Sequence, residues 1–69
     1  MPIDTRFGNR LLDLRNTKGI TQMQLVIASK MDRSFTSDIE RGAIIPTLKK
    51  VDAIAKVFKI SFSDLFIGV

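Results

Sequence analysis

The feature that most constrains the fold of this chain is a pair of short helical segments between Thr21 and Gly42. Thr21 can cap the first segment, and the side chain of Gln24, three residues later, can reach back to complete a capping box. That segment runs to about Ser29, and after a short turn Asp32 can cap the second segment. Gly42 is the residue type that commonly ends a helix. Two short helices joined by a tight turn are therefore predicted here.

Apolar residues repeat at helical spacing on both sides of this stretch. The first helix is predicted from about Thr5 to Lys18, a fourth helix follows Thr47, and a short fifth helix begins near Phe62. The apolar positions of the first and fourth helices are Phe7, Leu11, Leu14, Leu48, Val51, Ile54, Ala55 and Phe58. No strand pattern or repeat is present. The chain is therefore predicted to be all-α, a single domain over residues 1–69 with five short helices around one core.

Composition narrows the chemistry open to this chain. Its 69 residues include no Cys and no His, which leaves out disulfides, thiol nucleophiles, the usual zinc ligands and the commonest general base. We therefore expect no catalytic residue, no metal site, no cofactor and no small-molecule ligand. The chain opens without a basic leader and apolar core, and no apolar run approaches about 20 residues. A soluble, cytoplasmic protein is expected.

The charge balance indicates the kind of partner. The net charge is +4, from 11 Lys and Arg against 7 Asp and Glu, and the pI is near 10.0, as expected of a protein drawn to phosphate backbones. Residues 21–42 are neutral, so the flanks hold the excess. A membrane surface is the rival partner of a basic chain, but these basic residues are scattered rather than clustered, so no membrane binding is expected.

A set of residues at fixed spacing runs through most of the chain. Its members are Arg10, Leu14-Arg15, Lys18 to Gln22, Leu25, Ile39 to Gly42, Pro46, Ile54-Ala55, and Ser61 with Asp64 to Phe66. Together they resemble the phage repressor and Cro type of helix-turn-helix protein, also called the Xre type. The resemblance implies a compact five-helix, lambda-repressor-like DNA-binding domain whose helix-turn-helix spans residues 21–42. Met31–Gly42 is also similar to the small controller proteins of restriction-modification systems, although single-domain phage and plasmid regulators share much of it.

The resemblance implies that the third helix lies in the major groove of DNA with its first residues against base edges. The residues expected to read bases are Arg33, Ser34, Ser37 and Thr36. The alternative for Thr36, which stands where the family has an aliphatic residue, is packing against Val26 of the second helix. Arg33 carries the forked donors that match guanine O6 and N7. The residues expected to contact the DNA backbone are Gln22, Thr21, Arg10, Phe35 and Arg41, with the amide of Gln22 donating to a phosphate. For Lys49 and Lys50 a solvated helix face is the favoured interpretation.

Other residues are expected to build the platform. The family implies a partly buried ion pair between Arg15 in the first helix and Glu40 in the Glu-Arg-Gly segment. It also implies pairing across a twofold axis through the fifth-helix region, so the homodimer interface is expected at Phe62, Phe66 and Ile67. The alternative for the two phenylalanines is that they close the core.

Two departures from the family pattern stand out. Lys30 occupies a turn position where the family usually has glycine, so either this lysine adopts a left-handed conformation or the turn is built differently. Met23, Ile27 and Ile44 are apolar where the family is polar. If exposed, they would form a patch for a protein partner.

These observations predict a sequence-specific transcriptional regulator, not an enzyme, that binds a pseudo-palindromic double-stranded DNA operator as a homodimer. It would act as a restriction-modification controller or as a phage or plasmid repressor. The alternative is a protein-interaction module on the same fold, an antitoxin or adaptor that holds its partner through Met23, Ile27 and Ile44.

Overall fold

The chain folds into five α-helices and no strands in the computed structural model, which describes residues 1–69. The helices are α1 (Ile3–Lys18), α2 (Gln22–Ser29), α3 (Arg33–Glu40), α4 (Leu48–Phe58) and α5 (Phe62–Leu65). The predicted all-α class and the predicted order of helices are confirmed. Helix α1 begins at Ile3 rather than at Thr5, because Pro2 stands at its N-cap with φ −59° and accepts a hydrogen bond from the backbone N–H of Arg6 at 3.1 Å.

Side-chain caps fix where most of these helices begin. At α2, the Thr21 hydroxyl accepts from the backbone N–H of Gln24 at 3.1 Å, and Oε1 of Gln24 accepts from the backbone N–H of Thr21 at 2.8 Å. The predicted capping box is therefore confirmed. Asp32 occupies the N-cap position of α3, but its exposed carboxylate makes no cap hydrogen bond, so its predicted capping role is wrong. The first backbone N–H groups of α3 thus have no side-chain cap within the chain.

The turn between α2 and α3 is built on a left-handed lysine. Lys30 has φ 58°, and the backbone N–H of Met31 donates to the carbonyl of Val26 at 3.3 Å, which closes the end of α2. The first of the two alternatives for this turn is therefore correct. Lys59 ends α4 in the same conformation, with φ 57°. Each costs roughly 1–2 kcal/mol relative to a right-handed residue.

One apolar core joins all five helices. Its buried members are Phe7, Leu11, Leu14, Leu25, Met31, Ile39, Val51, Ile54, Ala55, Phe58 and Leu65. Leu48, which was predicted to share the apolar face of α4, is 73% exposed. It is the first residue of α4, and the part of that helix that faces the core begins one turn later, at Val51.

Helices α1 and α3 approach closely at Gly8. A Cβ atom on this residue would stand 2.4 Å from the carbonyl oxygen of Ile39 and 2.8 Å from that of Glu40. Any side chain here would push the two helices apart. The missing side chain therefore lets the last turn of α3 rest directly on α1, which sets the position of the Glu40 carboxylate.

Candidate nucleic-acid interface

The first turn of α3 presents polar side chains to solvent. Arg33 and Ser34 are exposed, and Ser37, one turn after Ser34, is half-buried. Residues three apart share one face of a helix, so the two serines lie on the same side. None of the ion pairs in the chain includes Arg33. The guanidinium at the start of α3 is thus exposed and in no ion pair within the chain.

Thr36 does not belong to this surface. Its side chain is fully buried, and Oγ1 donates to the backbone carbonyl of Asp32 at 3.0 Å. The prediction that Thr36 reads bases is wrong, because its methyl and hydroxyl groups both face the interior. A signal for this burial is present in the sequence, since Thr36 lies three residues before Ile39, on the core-facing side of α3.

The aromatic ring of Phe35 brings a lysine from α4 to the start of α3. Phe35 is half-buried and packs against the core. The Nζ atom of Lys50 lies 5.0 Å from the centre of its ring, within the range of a cation–π contact. Lys50 is therefore not simply part of a solvated helix face, because its charge stands beside the polar turn that carries Arg33.

The buried carboxylate of Glu40 connects the helix-turn-helix formed by α2 and α3 to α1. Glu40 accepts from Nε of Arg15 at 2.5 Å and from Nη2 of Arg15 at 3.1 Å. It also accepts from Nε2 of Gln22 at 2.8 Å, while Nη1 of Arg15 donates to the carbonyl of Ile20 at 3.1 Å. The expected ion pair is thus present, and it extends to the first residue of α2. One carboxylate fixes α1, the start of α2 and the end of α3 relative to each other.

The residues predicted to contact the DNA backbone fall into different settings. Thr21 is exposed, and its hydroxyl oxygen serves as the α2 cap. Gln22 is half-buried with its amide against Glu40, and Arg41 is exposed and paired with Asp38. Thr21 and Gln22 thus lie at the start of α2, and Arg41 lies at the end of α3. Their contact with DNA stays a prediction.

Arg10 makes contacts within the chain that the sequence did not predict. Its Nε and Nη2 atoms donate to the carbonyls of Leu65 at 3.1 Å and Asp64 at 2.8 Å, and Nη1 lies 3.8 Å from Asp13. Two of the five N–H donors are thus used within the chain, and only 20% of the side chain is exposed. A phosphate contact by Arg10 stays a prediction that the remaining donors alone would have to make.

Aromatic residues form a row at the C-terminal end of the chain. The ring of Phe66 lies 5.4 Å from that of buried Phe7 and 6.4 Å from that of Phe62, centre to centre. Phe62 is 39% exposed and Ile67 is 61% exposed. Phe66 therefore closes the core, as the alternative interpretation held, while Phe62 and Ile67 remain on the surface.

The predicted apolar patch is smaller than the sequence indicated. Met23 is 45% exposed and Ile27 is 70% exposed, one turn apart on α2. Ile44 is half-buried and packs against the core, so it does not meet the condition of exposure on which the patch was predicted. The loop after α3 turns this side chain inward, and only the two α2 residues remain available.

No helix in the structure is both long and apolar enough to cross a membrane.

Two short helices crossing at a tight turn, the second with an exposed polar first turn, define a helix-turn-helix protein. A family model described as a helix-turn-helix domain matches residues 6–64. The chain belongs to this helix-turn-helix family.

Relatives of known identity fall into the same class. The chain is 34% identical over 58 residues to the immunity repressor protein of Bacillus phage phi105, across 84% of this chain and 40% of the repressor. It is 35% identical to the restriction-modification controller protein C.AhdI from Aeromonas hydrophila, whose crystal structure matches 91% of this chain and 96% of that one with a TM-score of 0.86. C.Esp1396I, in a structure bound to a 25 base pair operator site, is 28% identical with a TM-score of 0.85, over 97% of this chain and 88% of that one. The chain thus spans less than half the length of the phage repressor.

Proposed function

We propose that this protein is a sequence-specific transcriptional regulator that binds double-stranded DNA as a homodimer at a pseudo-palindromic operator. The first turn of α3 carries the proposal, since Arg33 and Ser34 are exposed there. Glu40, at the other end of α3, fixes this helix by accepting hydrogen bonds from α1 and α2. The net charge of +4 suits a polyanionic ligand. The relatives add support because they are a repressor and controllers, one of them bound to its operator. The proposal includes no catalytic activity.

Base reading is assigned to Arg33, Ser34 and Ser37. A bidentate contact from Arg33 to guanine O6 and N7 discriminates between bases by about 1–3 kcal/mol. Hydroxyl groups bond either bases or phosphates, so the two serines add contacts without fixing one base. In a helix-turn-helix the N-terminal end of the second helix enters the major groove. Arg33 and Ser34 are the first two residues of α3, and Ser37 follows one turn later.

Contacts to the DNA backbone are assigned to residues at the start of α2, in and just after α3, and in α4. Gln22 has a second amide hydrogen beyond the one bonded to Glu40, and the free N–H groups at the start of α2 lie beside it. Thr21, Arg41 and the edge of the Phe35 ring complete the predicted set. We add Lys50, because its contact with Phe35 holds a positive charge next to α3. These contacts fix the register on DNA and carry no sequence information.

The homodimer is assigned to Phe62, Phe66 and Ile67. One such small module buries too little surface for specific binding alone, so two copies on two half-sites meet the affinity requirement. Phe62 and Ile67 are exposed, and Phe66 backs them against Phe7. Two copies paired here would read half-sites about 34–36 Å apart, one turn of DNA.

Selection of bound sequences from a random DNA pool tests the proposal directly. A regulator should enrich a pseudo-palindrome, and its affinity should keep a sequence-dependent part as salt rises. Binding to random DNA supplies the control, since it measures the sequence-independent affinity, whose logarithm falls linearly with the logarithm of salt concentration. Enrichment of no sequence, with equally steep salt dependence on all DNA, would contradict the proposal.

A second candidate function is a protein-interaction module, and the exposed pair Met23 and Ile27 favours it. An antitoxin or adaptor would use these side chains to hold a partner, and its DNA binding would be blind to sequence. Met23→Lys combined with Ile27→Lys distinguishes the two candidates. The regulator should keep its operator preference in this variant, whereas the adaptor should lose its partner.

The similarity to two solved controller proteins, C.AhdI and C.Esp1396I, supports a controller of a restriction-modification system as the biological role. The similarity to the phage repressor supports the alternative, a phage or plasmid repressor. With DNA as its ligand, the protein is proposed to act in the cytoplasm. A restriction and methylation gene pair beside its own gene would support the controller role, and a phage lysogeny region would contradict it.

A further inference from the structure

Arg10 ties the last helix to the first across almost the whole sequence. Its Nε and Nη2 atoms donate to the carbonyls of Leu65 and Asp64, residues 55 and 54 positions away. The third nitrogen lies 3.8 Å from Oδ2 of Asp13, one turn further along α1. This pair with Asp13 involves the one guanidinium nitrogen that makes no hydrogen bond to α5.

Helix α5 depends on contacts of this kind. It has four residues, and an isolated helix of one turn is not stable in water. Its last carbonyls lack partners within the helix, and a positive group is favourable at this end of the dipole. Leu65 anchors one side of α5 in the core, since it is fully buried. Arg10 donates to the carbonyls of Leu65 and Asp64, the second of which also accepts from the backbone N–H of Ile67, and these bonds fix the direction of α5 on α1.

The surface that α5 presents follows from this direction. Phe62 lies at the start of the helix with its ring exposed, and Ile67 lies just after the end of the helix. The two residues flank the carbonyls that Arg10 holds. A rotation of α5 on the body of the protein would move both apolar side chains together.

We propose that Arg10 is a positioning residue for homodimerisation, which holds α5 in the orientation where Phe62 and Ile67 meet a second copy of the chain. This inference rests on the proposed function, in which α5 forms the dimer interface. Arg10 touches neither DNA nor the second copy. Its effect on operator binding passes through the monomer–dimer equilibrium.

Sedimentation equilibrium of Arg10→Ala and Arg10→Lys tests the proposal, with Arg6→Ala as the matched control. Arg6 is an exposed arginine one turn before Arg10 on the same helix. Loss of two charge-assisted hydrogen bonds should raise the dimer dissociation constant by about tenfold or more in Arg10→Ala. Arg10→Lys should fall between this variant and the wild type, because an ammonium group lacks the planar fork. Arg6→Ala should match the wild type.

Operator binding supplies the readout that a phosphate contact would change. Above the dissociation constant of the variant dimer, Arg10→Ala should bind the operator with wild-type affinity and an unchanged salt slope. A wild-type dimer dissociation constant together with a salt slope lowered by about one would overturn the proposal in favour of a phosphate contact. If Arg10→Ala does not fold, a folded Arg10→Lys that dimerises as tightly as the wild type overturns it equally.

Amide hydrogen exchange of the monomers separates positioning from a general role in the fold. In Arg10→Lys, protection should fall only in residues 61–69, and a loss throughout the chain would overturn the proposal. Failure of the proposed dimer is a distinct outcome. A wild-type protein that stays monomeric at every concentration would overturn the proposed dimer and the role of Arg10 with it, whereas the proposed DNA binding would fail only if this monomer also selected no DNA sequence.

Discussion

The amide nitrogen Nε2 of Gln22 donates a hydrogen bond of 2.8 Å to Oε1 of Glu40. The same carboxylate holds Arg15, so one buried group joins the first residue of α2 to the rest of the fold. Glu40 therefore stabilises the fold and fixes the start of α2, the helix proposed to contact the DNA backbone, through the same oxygen atoms. A change at this residue is expected to affect both, and the two effects need separate measurements.

Glu40→Ala should lower the free energy of unfolding by about 3–5 kcal/mol, because it leaves the Arg15 guanidinium unpaired at a largely buried site. The side chains of Arg15 and Glu40 are only 13% and 5% exposed. Urea unfolding followed by circular dichroism measures the change. Arg41→Ala is the matched control, since its exposed pair with Asp38 should contribute about 0–1 kcal/mol. Equal losses in the two variants would contradict a special role for the buried pair.

Arg33→Ala should relax base preference at one position of each half-site, at a cost of about 1–3 kcal/mol for the preferred sequence. Arg33 is exposed at the first position of α3, so the protein should keep its stability. Binding to the operator and to single-base variants of it gives the measurement. A uniform weakening on every sequence would show instead that Arg33 contacts phosphate.

Lys50→Ala should reduce the slope of log affinity against log salt concentration by about one, because it removes one phosphate contact. The contact with Phe35 holds Lys50 beside α3, whereas its neighbour Lys49 is exposed without such a contact. Lys49→Ala is therefore the matched control and should leave the slope near its wild-type value. The same slope for both variants and the wild type would place Lys50 away from DNA.

Some local interactions in this chain were predictable from the sequence, although the predicted cap by Asp32 does not form. The capping box of Thr21 and Gln24 lies within one helical turn, so its two bonds depend only on residues three apart. The pairing of Arg15 with Glu40 spans 25 positions and followed from the family resemblance. In both predictions, the residue types commonly make one particular interaction at these positions: a capping box for Thr21 and Gln24, and an ion pair for Arg15 and Glu40.

Two further residues have side chains with more than one possible partner. Arg10 was predicted to bind phosphate, and it donates to two backbone carbonyls of α5, a meeting of chain ends that no spacing in the sequence encodes. Thr36 was predicted to face DNA, but its small branched side chain also fits the interior once the hydroxyl can bond back to Asp32. In both cases the residue type allows several contacts, and the packing of distant parts of the chain determines which of them form.

Lys30→Gly should stabilise the fold, because glycine adopts the left-handed conformation without the steric cost of a Cβ atom. The larger conformational freedom of glycine in the unfolded chain offsets part of the gain. A net gain of about 0.5–1 kcal/mol would raise the melting temperature by several degrees in a domain of this size. Lys59→Gly, at the same conformation at the end of α4, should behave alike. A lower melting temperature in both variants would contradict this account of the two turns.

Phe62→Asp should abolish homodimerisation while the monomer stays folded. Phe62 is 39% exposed, and the buried contact with Phe7 belongs to Phe66, so the core keeps its aromatic closure. A carboxylate brought into an apolar interface loses its solvation without gaining a partner, and the twofold axis doubles this cost. Sedimentation velocity measures the oligomeric state, and operator binding should weaken in parallel at low protein concentration. Ile27→Asp, which places the same charge on the exposed face of α2, is the control and should remain dimeric. If Phe62→Asp is a dimer and Ile27→Asp a monomer, the interface lies on α2, and the exposed pair Met23 and Ile27 joins two copies of this chain.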